Sequence, residues 1–185
     1  MYVDILILAS LWSGPRHGYE IRHSAGAMLG GSCLLNNNQL YPLLRRFEAE
    51  GMVTSSTLAQ QGRPERHVYT LTRQGKTLLR LRIADFPETM ARDDREFLIW
   101  VHHFHLIDAR ARCRILQARL TVLHERLERA VARLEASETQ KQLYVQQASE
   151  FVLAKARLEV DWITGLLKGG QRGKASGSKL TRTVG

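Results

Sequence analysis

The chain has 185 residues, 44% of them hydrophobic and 24% charged, which is enough apolar material for one domain or two small ones. Its 27 Lys and Arg outnumber 18 Asp and Glu, giving a net charge of +9 that favours a polyanionic partner. The apolar opening YVDILILASLW contains Asp4, lacks a basic leader and stops after about ten residues, a pattern unlike a signal peptide or a membrane span. Cys33 and Cys113 show no disulfide-framework spacing, so the expectation is a cytoplasmic protein with no membrane partner.

In chain order, a first helix is expected over about residues 2–12, with Ile5, Leu8, Leu11 and Trp12 on its apolar side. Gly14-Pro15 breaks it, and a second helix begins near His17 with YEIRHSAGAM. LGGSCLLNNN reads as a connection, followed by a third helix, QLYPLLRRFEAEG, that Gly51 ends. MVTSSTLA and HVYTLT are short runs of β-formers separated by QQGRPER, which predicts a hairpin. Thr72 caps a fourth helix, TRQGKTLLRLRI, which stops at Phe86-Pro87. Three helices, a hairpin and another helix is the order of a winged helix-turn-helix.

From Asp93 onward the chain reads as almost all helix: DREFLIWVHHFHLI, then about Ala109 to Ser137, then about Gln140 to Leu167. Leu116, Leu120, Leu123, Leu127, Ala130 and Leu134 form a heptad seam. Tyr144, Ala148, Phe151, Leu158 and Trp162 repeat the rhythm, interrupted by Lys155. Such stripes need covering, and a dimer is the economical way. The dimerisation residues expected are Leu116, Leu120, Leu123, Leu127, Leu134, Phe151, Leu158 and Trp162. The fold class expected is therefore mainly α. A winged helix-turn-helix DNA-binding domain over 1–85 precedes an antiparallel helical, coiled-coil dimerisation domain over 86–168, and a disordered basic tail over 169–185.

The third helix carries two jobs. Leu40, Leu43, Leu44 and Phe47 share one side and turn inward, whereas Asn38, Pro42 and Arg45 face away, flanked by Gln39, Tyr41 and Arg46. Asn and Gln can pair with adenine, and Arg with guanine or phosphate. The bland reading is a polar loop followed by a solvated face. Arg63 at the hairpin tip and Arg66 on the far strand weigh against it, because they place cations where a wing would lie.

GPRHGYEI, QLYPLLRRFEAEGMV and GRPERHVYTLTRQG, in that order, resemble the PadR family of transcriptional regulators across residues 5–80. Residues 93–167 resemble the longer C-terminal domain found in that family. The resemblance implies a dimeric winged-helix repressor joined through its C-terminal helices. It also implies that Tyr19, Tyr41 and Arg45 face DNA and that Arg63 and Arg66 mark the wing. The partner expected is a palindromic double-stranded operator bound by a homodimer.

Three further features carry weaker readings. His102 and His105 lie one helical turn apart but have no evident third metal ligand, and neither cysteine has an activating setting. Trp100, Phe104, Phe151 and Trp162 fit either dimer core or a pocket for a small aromatic effector. No cofactor motif and no nucleophile in a catalytic context is seen, so the chain does not read as an enzyme. The alternatives are a ligand- or metal-gated sensor on the same DNA-binding core, or a helical protein–protein adaptor that does not bind DNA.

Overall fold

A computed structural model describes residues 2–28, 35–58, 66–135 and 143–176. The elements are α1 (Tyr2–Ser10), β1 (Arg16–His17), α2 (Gly18–Met28), α3 (Asn37–Ala49), β2 (Val53–Leu58), β3 (Arg66–Leu71), α4 (Arg73–Ala84), α5 (Asp94–His102), α6 (Ala109–Glu135) and α7 (Leu143–Ser176). Short 3₁₀ turns cover Glu88–Arg92 and Phe104–Leu106. Two compact units result, Met1–Asp108 and Ala109–Gly185.

In the first unit, α1 is the central element. Its run Ile5, Leu6, Ile7 and Leu8 is buried on all sides, so its sequence shows little amphipathic pattern. Asp4 at its start accepts from Arg46 of α3 at 2.9 Å and from Arg82 of α4, so one carboxylate ties three helices together. At the other end Trp12 lies under Lys76 and Arg80 of α4, with the cations 5.6 and 5.1 Å from ring centres.

The expected hairpin is present, as β2 and β3 pair antiparallel from Val53↔Leu71 to Leu58↔Arg66. A third strand joins it. β1 pairs with β3 through Arg16↔Tyr69 and His17↔Val68, giving the order β1-β3-β2. GPRHGYEI is therefore both a turn and a sheet edge. Gly14 adopts φ 146°, a conformation side chains resist, and Arg16-His17 then run extended before α2 begins.

Three caps set the boundaries around α3 and α4. Asn36 and Gln39 form a reciprocal capping box that starts α3. Gly51, at φ 70°, ends it, and the Met52 N–H returns to the Phe47 carbonyl at 2.8 Å. Thr72 Oγ1 accepts from the Gly75 N–H at 3.0 Å and donates to the Gly51 carbonyl at 2.8 Å, fastening α4 to the turn that ends α3.

Asp93 caps α5 by accepting from the N–H groups of Arg95 and Glu96. The helix stops at His102, before the end of the expected DREFLIWVHHFHLI segment, and His103 turns inward. Its Nδ1–H donates to the Ile99 carbonyl at 2.6 Å; burial pushes its pKa down, this hydrogen bond opposes the shift, and His102 and His105 add to it. Trp100 is fully buried with the Phe86 ring edge-on at 5.4 Å. Among the described residues, no group of three or more His, Cys, Asp or Glu side chains is placed to hold a metal ion. No helix among them is long and apolar enough to cross a membrane.

The second unit is the pair α6 and α7. Arg119 of α6 is fully buried and meets Glu159 of α7 in a fork, Nε–Oε1 2.7 Å and Nη2–Oε2 2.9 Å, which fixes their register. α7 runs to Ser176, nine residues beyond the end expected at Leu167. The tail expected from 169 is thus helical as far as Ser176, and 177–185 lie outside the described residues.

Candidate nucleic-acid interface

The outward side of α3 carries Asn38, Tyr41 and Arg45 together, and all three are exposed. Leu40, Leu44 and Phe47 on the opposite side are buried, and Leu43 is half-buried. Pro42 lies within the helix on the outward side, where its missing N–H leaves the Asn38 carbonyl without its helical donor. Tyr41 reaches back over the start of α2. A Cβ placed on Gly18 would lie 3.0 Å from the Tyr41 hydroxyl, so the glycine in RHGYE makes room for the Tyr41 ring. Tyr19, the next residue, is exposed beside it and stacks on the His17 ring at 6.0 Å and 10°.

β3 backs this surface. Burial raises the pKa of Tyr69, Tyr41 and Glu48 raise it further, and Arg45 opposes them, which puts Tyr41, Arg45 and Glu48 within electrostatic reach of one ring. Glu48 is occupied by the Ser55 backbone N–H and hydroxyl, so α3 is pinned to β2. The His17 Nδ1–H donates to the His67 carbonyl at 3.3 Å, tying the α2 entry to the hairpin.

Two expected DNA-facing residues are otherwise engaged. Arg46 turns to Asp4 at 2.9 Å, with Glu50 at 3.8 Å, because a carboxylate from α1 lies on that flank of α3. Gln39 is held in the capping box with Asn36. Arg63 and the side chain of Arg66 lie outside the described residues, although Arg66 is placed in β3.

Sequence reasoning also missed neighbours. Arg22 on α2 donates to Asn37 Oδ1 at 3.3 Å, and Arg16, Tyr19, Arg22, His23 and Asn36 line one concavity of about 1310 Å³. The signal was available: Tyr19, Arg22 and His23 follow the i, i+3, i+4 spacing of one helix face.

In the second unit, Leu116 and Leu123 of the α6 seam are buried within the chain, and Leu120, Leu127 and Leu134 are half-buried. The α7 seam differs: Phe151, Leu158 and Trp162 are 69%, 73% and 40% exposed. Among the described side chains of α7, those buried in this chain are Ser149, Ala156 and Ile163, a second seven-residue seam rotated from the first. Of the four aromatics read as a pocket or as core, Trp100 and Phe104 are buried in the first unit, whereas Phe151 and Trp162 are exposed in the second.

A helix-turn-helix whose second helix turns a polar face outward, backed by a small antiparallel sheet and followed by a helical hairpin, defines the winged-helix class of regulators. Residues 7–81 match the transcriptional regulator PadR-like family, which identifies this stretch as a PadR-like domain. It is 34% identical over 87 residues to the negative transcriptional regulator PadR of Bacillus subtilis, covering 45% of this chain and 48% of that one. It is 32% identical over 79 residues to a probable transcriptional regulator of Mycobacterium tuberculosis, covering 43% and 42%. The matches therefore span about half the length of these relatives. The crystal structure of Bacillus subtilis PadR in complex with operator DNA is 22% identical, covers 92% of this chain and 99% of that one, and has a TM-score of 0.43.

Proposed function

We propose that this protein is a homodimeric, sequence-specific DNA-binding regulator of transcription, acting as a repressor on a palindromic operator. The observation that carries the reading is the division of α3: apolar side chains inward, with Asn38, Tyr41 and Arg45 outward beside Tyr19. Such a helix fits the major groove, where Asn38 and Tyr41 meet base edges and Arg45 a phosphate. The hairpin carrying Arg63 and Arg66 is the wing. Arg22 of α2, which donates to Asn37 Oδ1, adds a cation beside α3.

Dimerisation follows from α7. One seven-residue seam is covered by the chain itself, and the other, Tyr144–Phe151–Leu158 with Trp162, is open to solvent. A second copy covers that seam at the least cost in exposed apolar surface. The dimer contact is thus narrower than the sequence suggests, resting on α7 more than on the α6 leucines.

The test is the contrast between neighbouring arginines. On a duplex from the protein's own upstream region, Arg45→Ala weakens binding by about tenfold and lowers the salt slope by about one. Arg46→Ala leaves the slope unchanged and lowers the melting temperature, since it opens the clamp on Asp4. Anisotropy titrations at several salt concentrations read both. Equal effects of the two substitutions on DNA affinity would contradict the role given to α3, and loss of preference at a single base position would make Arg45 a base reader.

A second reading, control by a small aromatic effector, draws support from Trp100, whose Nε1–H is buried with no acceptor among the described residues. Calorimetry against a panel of aromatic acids and amines tests it. Silence across the panel would count against it.

A further inference from the structure

Asp4 is the one charged residue of α1. Its side chain is 14% exposed, and its Oδ2 accepts from Arg46 of α3 at 2.9 Å and from Arg82 of α4. Arg46 also stands 3.8 Å from Glu50, and its guanidinium carbon lies 5.0 Å from the centre of the Phe47 ring. Two carboxylates and two guanidinium groups make a cluster of zero net charge on one flank of α3. The place of that flank gives the cluster its interest. Asn38 and Arg45 are seven residues apart, close to two full turns, and point the same way, whereas Arg46 stands about 100° round the helix from Arg45. An α-helix with its side chains is about 10–12 Å across and the major groove about 12 Å wide, so the flanks of an inserted helix lie against the phosphate walls. The Arg46 side chain is 46% exposed and would meet a phosphate there, were it not turned to Asp4.

We propose that Asp4 withholds Arg46 from the DNA backbone and so limits the sequence-independent part of binding. The inference rests on the DNA-binding role given to α3. Phosphate contacts strengthen binding to every sequence alike and carry no base information. A flank arginine added to them would tighten the protein on all duplex DNA without improving its choice of site. Asp4 is mostly covered and is shared with Arg82, which fixes the carboxylate where Arg46 meets it. Asp4 is thus a positioning residue that acts on DNA only through Arg46. The rival is a plain structural tie between α1, α3 and α4. The two differ in sign, because loss of a tie weakens DNA binding, whereas release of Arg46 strengthens it.

The test titrates the full-length protein by anisotropy against two fluorescein-labelled duplexes, one from its own upstream region and one of scrambled sequence, at several salt concentrations. Asp4→Asn keeps the size of the side chain and removes its charge. It binds both duplexes about five- to tenfold more tightly at about 0.1 M salt, with a salt slope steeper by about one. Its melting temperature falls, because the tie between the helices is weaker. Arg82→Gln also lowers the melting temperature but leaves the slope unchanged, so loosening alone does not tighten binding. Arg46→Gln by itself leaves the slope as in the wild type, and Asp4→Asn/Arg46→Gln returns to it. That pattern is non-additive, whereas a simple effect of net charge would make the Arg46→Gln loss equal the Asp4→Asn gain. The proposal is overturned if Asp4→Asn weakens binding or keeps the wild-type slope, if its gain survives in the double variant, or if Arg46→Gln alone lowers the slope. The last comparison needs no change at position 4, so it decides even where Asp4→Asn fails to fold. A wild-type protein that binds neither duplex at low salt contradicts the DNA reading itself. A wild type that binds, with no response to Asp4→Asn, contradicts this inference alone.

Discussion

Glu159→Ala lowers the unfolding free energy by about 3–5 kcal/mol, among the largest effects expected of a single polar substitution here. The reason is an asymmetry in the Arg119–Glu159 fork. Arg119 has no exposed side-chain surface, whereas the Glu159 side chain is 16% exposed. Removing the glutamate deprives a fully buried guanidinium of two charge-assisted hydrogen bonds, at 2.7 and 2.9 Å, that water cannot easily replace. Removing the arginine instead leaves a carboxylate that water can reach. Arg119→Leu is therefore expected to cost less than Glu159→Ala, and the double variant Arg119→Leu/Glu159→Leu less than the sum of the singles. Urea unfolding followed at 222 nm measures all three. A cost for Glu159→Ala below about 1 kcal/mol would show that the fork is dispensable.

Gly75→Ala is the second large effect, at about 3 kcal/mol. α4 begins against the turn that leads from α3 into β2, and the approach is close enough that a Cβ at position 75 would lie 2.1 Å from the Met52 carbonyl oxygen. That oxygen also accepts from the Thr72 N–H at 3.0 Å, so it cannot move without loosening the base of the hairpin. Backbone rather than a flexible side chain stands in the way, and the substitution must push α4 outward or break the Thr72 cap. Either result uncouples the end of α3 from the sheet. Thermal unfolding should show a lower midpoint, with a fall in DNA affinity following from a less rigid α3. A wild-type midpoint would mean that this contact relaxes freely.

Much of the first unit was legible because its boundaries are written in local chemistry. Gly14-Pro15, Gly51 and Thr72 each do in the structure what their residue type does in isolation. What escaped was non-local. β1 is two residues long, too short for alternation, and exists because β3 offers it a partner about fifty residues later. Arg46 looked outward by its position on the helix, but its direction is set by Asp4, 42 residues earlier. Gln39 is a different case: its type suits base recognition, and the structure engages its amide in the capping box with Asn36.

The second unit shows how large side chains can mislead. Phe151, Leu158 and Trp162 dominate the periodicity of α7, but among its described side chains those buried within this chain are Ser149, Ala156 and Ile163, two of them too small to stand out. Small residues let helices approach closely, whereas the bulky seam is the part still uncovered. The helix also continues past Gly169 and Gly170 to Ser176, where glycine propensity argued for a stop.

Two copies of α3 are expected to meet successive turns of one duplex, about 34 Å apart. Selection from a random duplex pool, followed by sequencing of the bound fraction, tests it most directly. Enrichment of an inverted repeat whose half-site centres lie about one helical turn, or a small multiple, apart is the predicted result. A pool that stays random after several rounds, or one that converges on a single half-site with no symmetric mate, would contradict it.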